Sequence, residues 1–61
     1  MCNPRMICEV AAGVTRNKVY ETSDGHYTVF TYRGSDLIGE AINISAGAVM
    51  TNYGIDVEVY A

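Results

Sequence analysis

The chain predicts an α+β fold, a two-layer sandwich in β-β-β-α-β order with a four-stranded, mostly antiparallel sheet and one helix on one face. Three observations carry that expectation. Apolar residues alternate in 6–14 and again in 55–60, an aromatic and β-branched hairpin is centred on Asp24-Gly25, and apolar residues recur every three or four positions through 38–53.

The first strand is read over residues 6–14. Met6, Cys8, Val10, Ala12 and Val14 share one parity, while Ile7, Glu9, Ala11 and Gly13 share the other, so one face is strongly apolar. Thr15-Arg16-Asn17 supplies turn-forming residues before β-propensity rises again at Val19. The segment 1–5 is expected to be irregular.

The second and third strands meet at Asp24-Gly25, a pair suited to a type I′ turn because both central residues of that turn need positive φ. Counting outward sets Ser23 opposite His26, Thr22 opposite Tyr27, Tyr20 opposite Val29 and Val19 opposite Phe30. One face then holds Tyr20, Thr22, Tyr27, Val29 and Thr31. The other holds Val19, Glu21, Thr28, Phe30 and Tyr32. Neither face is plainly polar.

Residues 35–53 read as the helix. Ser35 or Asp36 caps its start, and the acidic Asp36 and Glu40 suit the positive end of the helix dipole. Ile38, Ala41, Ile42, Ser45, Val49 and Tyr53 form the stripe, Gly54 is placed to end the helix in the left-handed conformation, and Ile55 folds back as its apolar partner. Two glycines, Gly39 and Gly47, weaken the helix by about 1 kcal/mol each. Ile38, Ile42 and Ile44 also share a parity, so the same stretch admits two further strands. The last strand has Ile55, Val57 and Val59 pointing one way and Asp56, Glu58 and Tyr60 the other. A helical crossover sets it parallel to the first and third strands, with a place beside the first favoured.

One helix can cover only one face of such a sheet. The uncovered face, whether the Tyr20, Tyr27 and Val29 set or the Val19, Phe30 and Tyr32 set, is expected to meet a partner: a second copy in a homodimer, or a larger protein. At 61 residues the chain is a single domain, 1–61, near the size at which one core barely suffices.

Charge narrows the function. The formal net charge of −3 argues against a general nucleic-acid binder, and no apolar run approaches the roughly 20 residues of a membrane span. The opening stretch carries Glu9 and no hydrophobic signal core, so a cytoplasmic setting is expected. The sequon Asn43-Ile44-Ser45 is then read as chance.

No catalytic set is visible. Cys2 and Cys8 are spaced unlike any common zinc motif, only His26 could join them, and no base stands near either thiol, so no metal, cofactor or enzymatic role is expected. Cys8 reads as a small buried hydrophobe, whereas Cys2 is left as a free thiol, an intermolecular cross-link or, after Met removal, an N-terminal cysteine. Arg16, Lys18 and Arg33 gather at one rim beside the expected helix start, where an anion could sit or where Asp36, Glu58 and the C-terminal carboxylate could pair with them.

Two functional expectations follow. The first is a small non-enzymatic protein-binding module, an inhibitor or regulator of the anti-defence or antitoxin-like kind carried by phages and mobile elements, by analogy of size and composition. Its interface comprises Tyr20, Tyr27, Val29, Phe30, Tyr32 and Tyr60, with Asp56 and Glu58 meeting basic groups. The alternative is a homo-oligomer that binds a small anionic ligand or a nucleic-acid phosphate at the Arg16, Lys18 and Arg33 rim.

Overall fold

The computed structural model describes residues 4–60. Four strands, β1 (Arg5–Ala12), β2 (Thr15–Ser23), β3 (His26–Arg33) and β4 (Asp36–Ser45), pair in chain order into one antiparallel sheet. Two short helices follow, α1 (Ala46–Tyr53) and α2 (Val57–Tyr60). The fold is mostly β with a small helical part, consistent with α+β. The order is β-β-β-β-α-α, which replaces the expected β-β-β-α-β.

Each connection between strands is a two-residue turn, closed by Ala12 opposite Thr15, Ser23 opposite His26 and Arg33 opposite Asp36. The first turn is therefore Gly13-Val14, and Thr15, Arg16 and Asn17 belong to β2 instead of the turn expected there. Gly13 takes φ 64°, and the Thr15 hydroxyl donates to the Ala12 carbonyl at 2.8 Å, locking the corner. At Asp24-Gly25 only the glycine has positive φ, so that turn is not type I′.

That difference shifts the register. Beyond the Ser23–His26 pair, β2 carries an extra residue at Thr22, so Glu21 lies opposite Tyr27, Val19 opposite Val29 and Lys18 opposite Phe30. A one-residue slip moves a strand's side chains to the other face. The two faces are thus not those counted from the turn. Val19, Tyr27 and Val29 share one face, and Tyr20, Phe30 and Tyr32 share the other.

Residues 36–45 form a strand, not the first half of a helix. Gly39, Ile42, Asn43 and Ile44 are all poor helix formers, whereas the strand satisfies the outer backbone edge of β3, where the chain is most buried. Ala41 then lies opposite Val29, Ile44 opposite Tyr27 and Gly39 opposite Thr31. β4 runs antiparallel to β3, so no crossover is needed and no parallel pair exists among the described residues.

The helix begins where Ser45 can cap it. The Ser45 hydroxyl accepts a hydrogen bond from the Ala48 amide at 3.1 Å, and Gly54, at φ 69° and ψ 23°, donates its amide to the Met50 carbonyl at 2.8 Å. Ser45 is thus a cap and not part of an apolar stripe. After Gly54 the chain turns back, and Ile55 and Val57 are both buried. The alternation fails beyond them, because Val59 is 73% exposed. Asp56 accepts from the Glu58 amide at 3.1 Å through its carboxylate and starts a helical turn, so 55–60 is not a strand.

The core lies on one face of the sheet. Val19, Tyr27 and Val29 meet Val49 from α1, and Ile55 and Val57 from the C-terminal segment, with Ile7, Cys8, Val10, Ile44, Ala46 and Tyr53 packed around them. Asn17 is the polar exception, and its side-chain oxygen accepts from the Thr31 hydroxyl at 2.6 Å. Met6 is absent from this group because β1 bulges at Ile7, which leaves Met6 opposite Tyr20 on the other face. Valines dominate, and each buries only about 1.5–3 kcal/mol of transfer free energy. Val29→Ala should therefore lower unfolding free energy by about 2 kcal/mol, and Ser45→Ala by about 1 kcal/mol, read as lower urea midpoints at unchanged slope.

Candidate functional site

The face away from the helices is built as a grid. Its rows, read across the sheet from β1 to β4, are Ala11–Arg16–Tyr32–Leu37, then Glu9–Lys18–Phe30–Glu40, then Met6–Tyr20–Thr28. The pleat supplies this arrangement, since paired residues project to the same side. Aromatic residues occupy its centre. Tyr20 and Phe30 meet edge to face with ring centroids 5.7 Å apart, and the Lys18 ammonium sits 4.8 Å from the centroid of Tyr32.

Beside this pair lies a concavity of about 300 Å³ lined by Pro4, Tyr20, Thr22, Thr28, Phe30 and Ile42. Its two threonine hydroxyls are already engaged. Thr22 donates to the side-chain oxygen of Asn43 at 2.7 Å, and Thr28 accepts from the Asn43 backbone amide at 3.3 Å. The lining that remains is apolar. Asn43 holds this network from a bulge in β4, with φ 53°, a left-handed conformation that asparagine tolerates better than most residues.

The expected interface residues divide between the two sides. Tyr20, Phe30 and Tyr32 lie on the open face, each partly exposed. Tyr27 is 7% exposed and Val29 fully enclosed, so both are core residues under the helices and leave the interface set. The Thr22 bulge is the physical reason. Asp56, Glu58 and Tyr60 are exposed, but they belong to the C-terminal segment that packs over the core face. They do not border the aromatic grid.

The basic residues are likewise dispersed. Arg16 pairs with Glu9 at 3.3 Å, Lys18 is held over Tyr32, and Arg33 is exposed at the end of β3 opposite Asp36. No helix starts beside them, because 36–45 is a strand. The C-terminal carboxylate proposed for this rim lies outside the described residues.

Among the described residues, no three His, Cys, Asp or Glu side chains converge in a metal-binding group. Cys8 is a free thiol packed against the core, and burial raises its pKa above the ordinary thiol value. Cys2 lies outside the described residues. His26 is exposed at the hairpin tip, with Nδ1 3.2 Å from the Asp24 carbonyl oxygen. No helix among the described residues is long and apolar enough to cross a membrane.

Several members of the open face escaped the sequence reading: Pro4, Leu37, Glu40 and Ile42. Three of these four lie in β4, and the shared parity of Ile38, Ile42 and Ile44 was the available signal for that strand. Comparison with protein-family models, curated proteins and solved structures finds no match to this chain.

Two measurements probe this geometry. Asn43→Ala should cost about 1 kcal/mol through left-handed strain and loss of the Thr22 contact, with Asn43→Gly recovering the backbone part in a urea titration. In a Cys2→Ser background, Cys8 should react with a thiol reagent more slowly in the folded protein than in the unfolded chain. Its ultraviolet thiolate titration should have a higher midpoint when folded. Cys8 stays protonated more readily in the native state, so its contribution to stability is complete below the unfolded thiol pKa and is lost as pH rises through the folded one.

Proposed function

We propose that this chain is a non-enzymatic protein-binding module that docks an apolar surface against the open face of its sheet. The observation that carries the reading is the contiguous group of Tyr20, Phe30 and Tyr32 beside an apolar concavity, on the side that the chain's own helices leave bare. Leu37 and Ile42 extend that surface and are 49% and 57% exposed. Aromatic anchors of this kind carry a large share of interface energy, while charges around them set orientation and association rate.

A rigid sheet presents such anchors at little entropic cost, because the strands fix the backbone before docking. The mode of action in this reading is occlusion. The module covers a surface that its partner uses elsewhere, as a small inhibitor or an antitoxin-like regulator does. Binding of an anion at Arg16, Lys18 and Arg33 draws less support, since Arg16 is neutralised by Glu9 and Lys18 is engaged with Tyr32.

The test compares tagged wild-type protein with Tyr20→Ser and Phe30→Ser in the native host, using cross-linking and mass spectrometry. Both variants should keep the wild-type circular dichroism spectrum and lose a protein that the wild type retains. Tyr27→Ser should instead unfold the domain, because that ring is in the core. Identical protein sets for the wild type and the two folded variants would remove the open face from the function.

A further inference from the structure

We infer that the occupant of the open face is a second copy of this chain, related by a two-fold axis running along β3 between the two sheets. The inference rests on the binding reading above and names its partner.

Charge placement points to self-association. The open face carries Glu9, Arg16, Lys18 and Glu40, which cancel, so the formal charge of −3 lies entirely elsewhere on the molecule. Two copies that each carry net negative charge repel through most of their surfaces. The open face is neutral.

The pattern on that face is also self-complementary. In its middle row Lys18 and Glu40 flank Phe30, one strand away on either side. A two-fold axis along β3 exchanges the positions of β2 and β4. Each Lys18 then meets the partner's Glu40, and Phe30 meets its own copy at the axis. The same operation sets Tyr20 toward the partner's Ile42 and its neighbouring concavity. An isologous contact requires such self-matching, because the same patch serves both subunits. Glu40 makes no ion pair with another described residue and so is free for this one.

Area and edges agree. Across that axis β2, β3 and β4 overlap the partner's sheet while β1 projects beyond it, and three strands about 4.8 Å apart and roughly 26–33 Å long give a flat footprint on the order of 400 Å², before side-chain relief is counted. A standard stable interface buries about 800 Å² of accessible surface per partner, so an overlap of this size makes a small, reversible dimer contact. Pairing through the sheet edges is disfavoured instead. β1 bulges at Ile7, and β4 bulges near Ile38 and again at 42–43, so neither edge offers an unbroken row of backbone groups.

The experiment is light scattering with size exclusion on wild type, Lys18→Glu, Glu40→Lys and an equimolar mixture of the two variants. The 6.6 kDa wild-type chain should elute with twice its monomer mass. Each single variant opposes like charges twice across the axis and should self-associate at least about tenfold more weakly. The mixture should restore the dimer. In that heterodimer the two substituted positions face each other with opposite charges, and the unaltered Lys18 of one chain meets the unaltered Glu40 of the other. Circular dichroism verifies that all variants fold.

A wild type that stays monomeric up to about 1 mM, the weak limit of measurable affinity, overturns the inference. If Phe30→Ser nevertheless loses a captured protein, the open face still binds a different partner and only self-association fails. Dimerisation that persists in both charge variants, with or without mixing, places the contact on another surface. It removes the inference, and an unchanged capture by Phe30→Ser removes the binding reading with it.

Discussion

Val19 and Val29 face each other across the two central strands, and neither retains any solvent exposure. The rest of the fold is arranged around that contact. The pair exists only because Thr22 is an extra residue in β2, which brings Val19 into register with Val29. Without the bulge, β2 would present Arg16, Lys18 and Tyr20 to the helices and Asn17 and Val19 to the outer face. Burying unpaired Arg16 and Lys18 beneath Val49 and Val57 would cost far more than the valine contact contributes. The bulge is therefore the element that assigns the two faces of the sheet, and with them the location of the core and of the open aromatic face.

The asymmetry of the two faces follows from how the described residues after β4 are used. β4 ends at Ser45, and the described chain offers residues 46–60 to cover a sheet whose strands run roughly 26–33 Å. An eight-residue helix reaches about 12 Å, so α1 shields only the part of the core face above β3 and β4. The returning segment that carries Ile55 and Val57 closes the part near β1. Gly54 is the pivot that lets one short segment cover both halves. Nothing of these elements is left for the other face, where aromatic rings remain in contact with water.

Local punctuation was legible in the sequence, and long-range register was not. Asp24-Gly25 marked the hairpin, Gly54 marked the helix end, and Ile55 and Val57 read as inward residues, because each depends on neighbours within a few positions. The faces of β2 and β3 were misassigned because a bulge one residue from the turn reverses every parity beyond it, and no residue type announces it. Residues 36–45 were the hardest. Their spacing fits helix and strand alike, and the choice is made by β3, whose buried backbone edge needs hydrogen-bond partners. Asp56 was read by parity as a strand residue, while its carboxylate is better placed to cap the turn that follows Gly54. The open face was legible as a sheet side that one helix leaves uncovered and illegible as a residue set, since the Thr22 bulge and the strand β4 both decide its members.

The aromatic face carries four charged side chains among its rings, Glu9, Arg16, Lys18 and Glu40. The Lys18 ammonium lies over the Tyr32 ring, and Arg16 reaches Glu9 across the strand pair, so two long basic side chains lie on this face with their charged ends engaged there. These contacts are weak individually, since each is partly exposed and screened by solvent. A docking surface can displace such side chains without breaking a buried ion pair, and the released charges are then free to meet opposite charges on whatever arrives. Indiscriminate sticking is opposed because an apolar surface without matching charges would strand Lys18 and Glu40 in a dry contact. The same four charged residues thus keep the bare face hydrated and, in the binding reading proposed above, make it selective when it is covered.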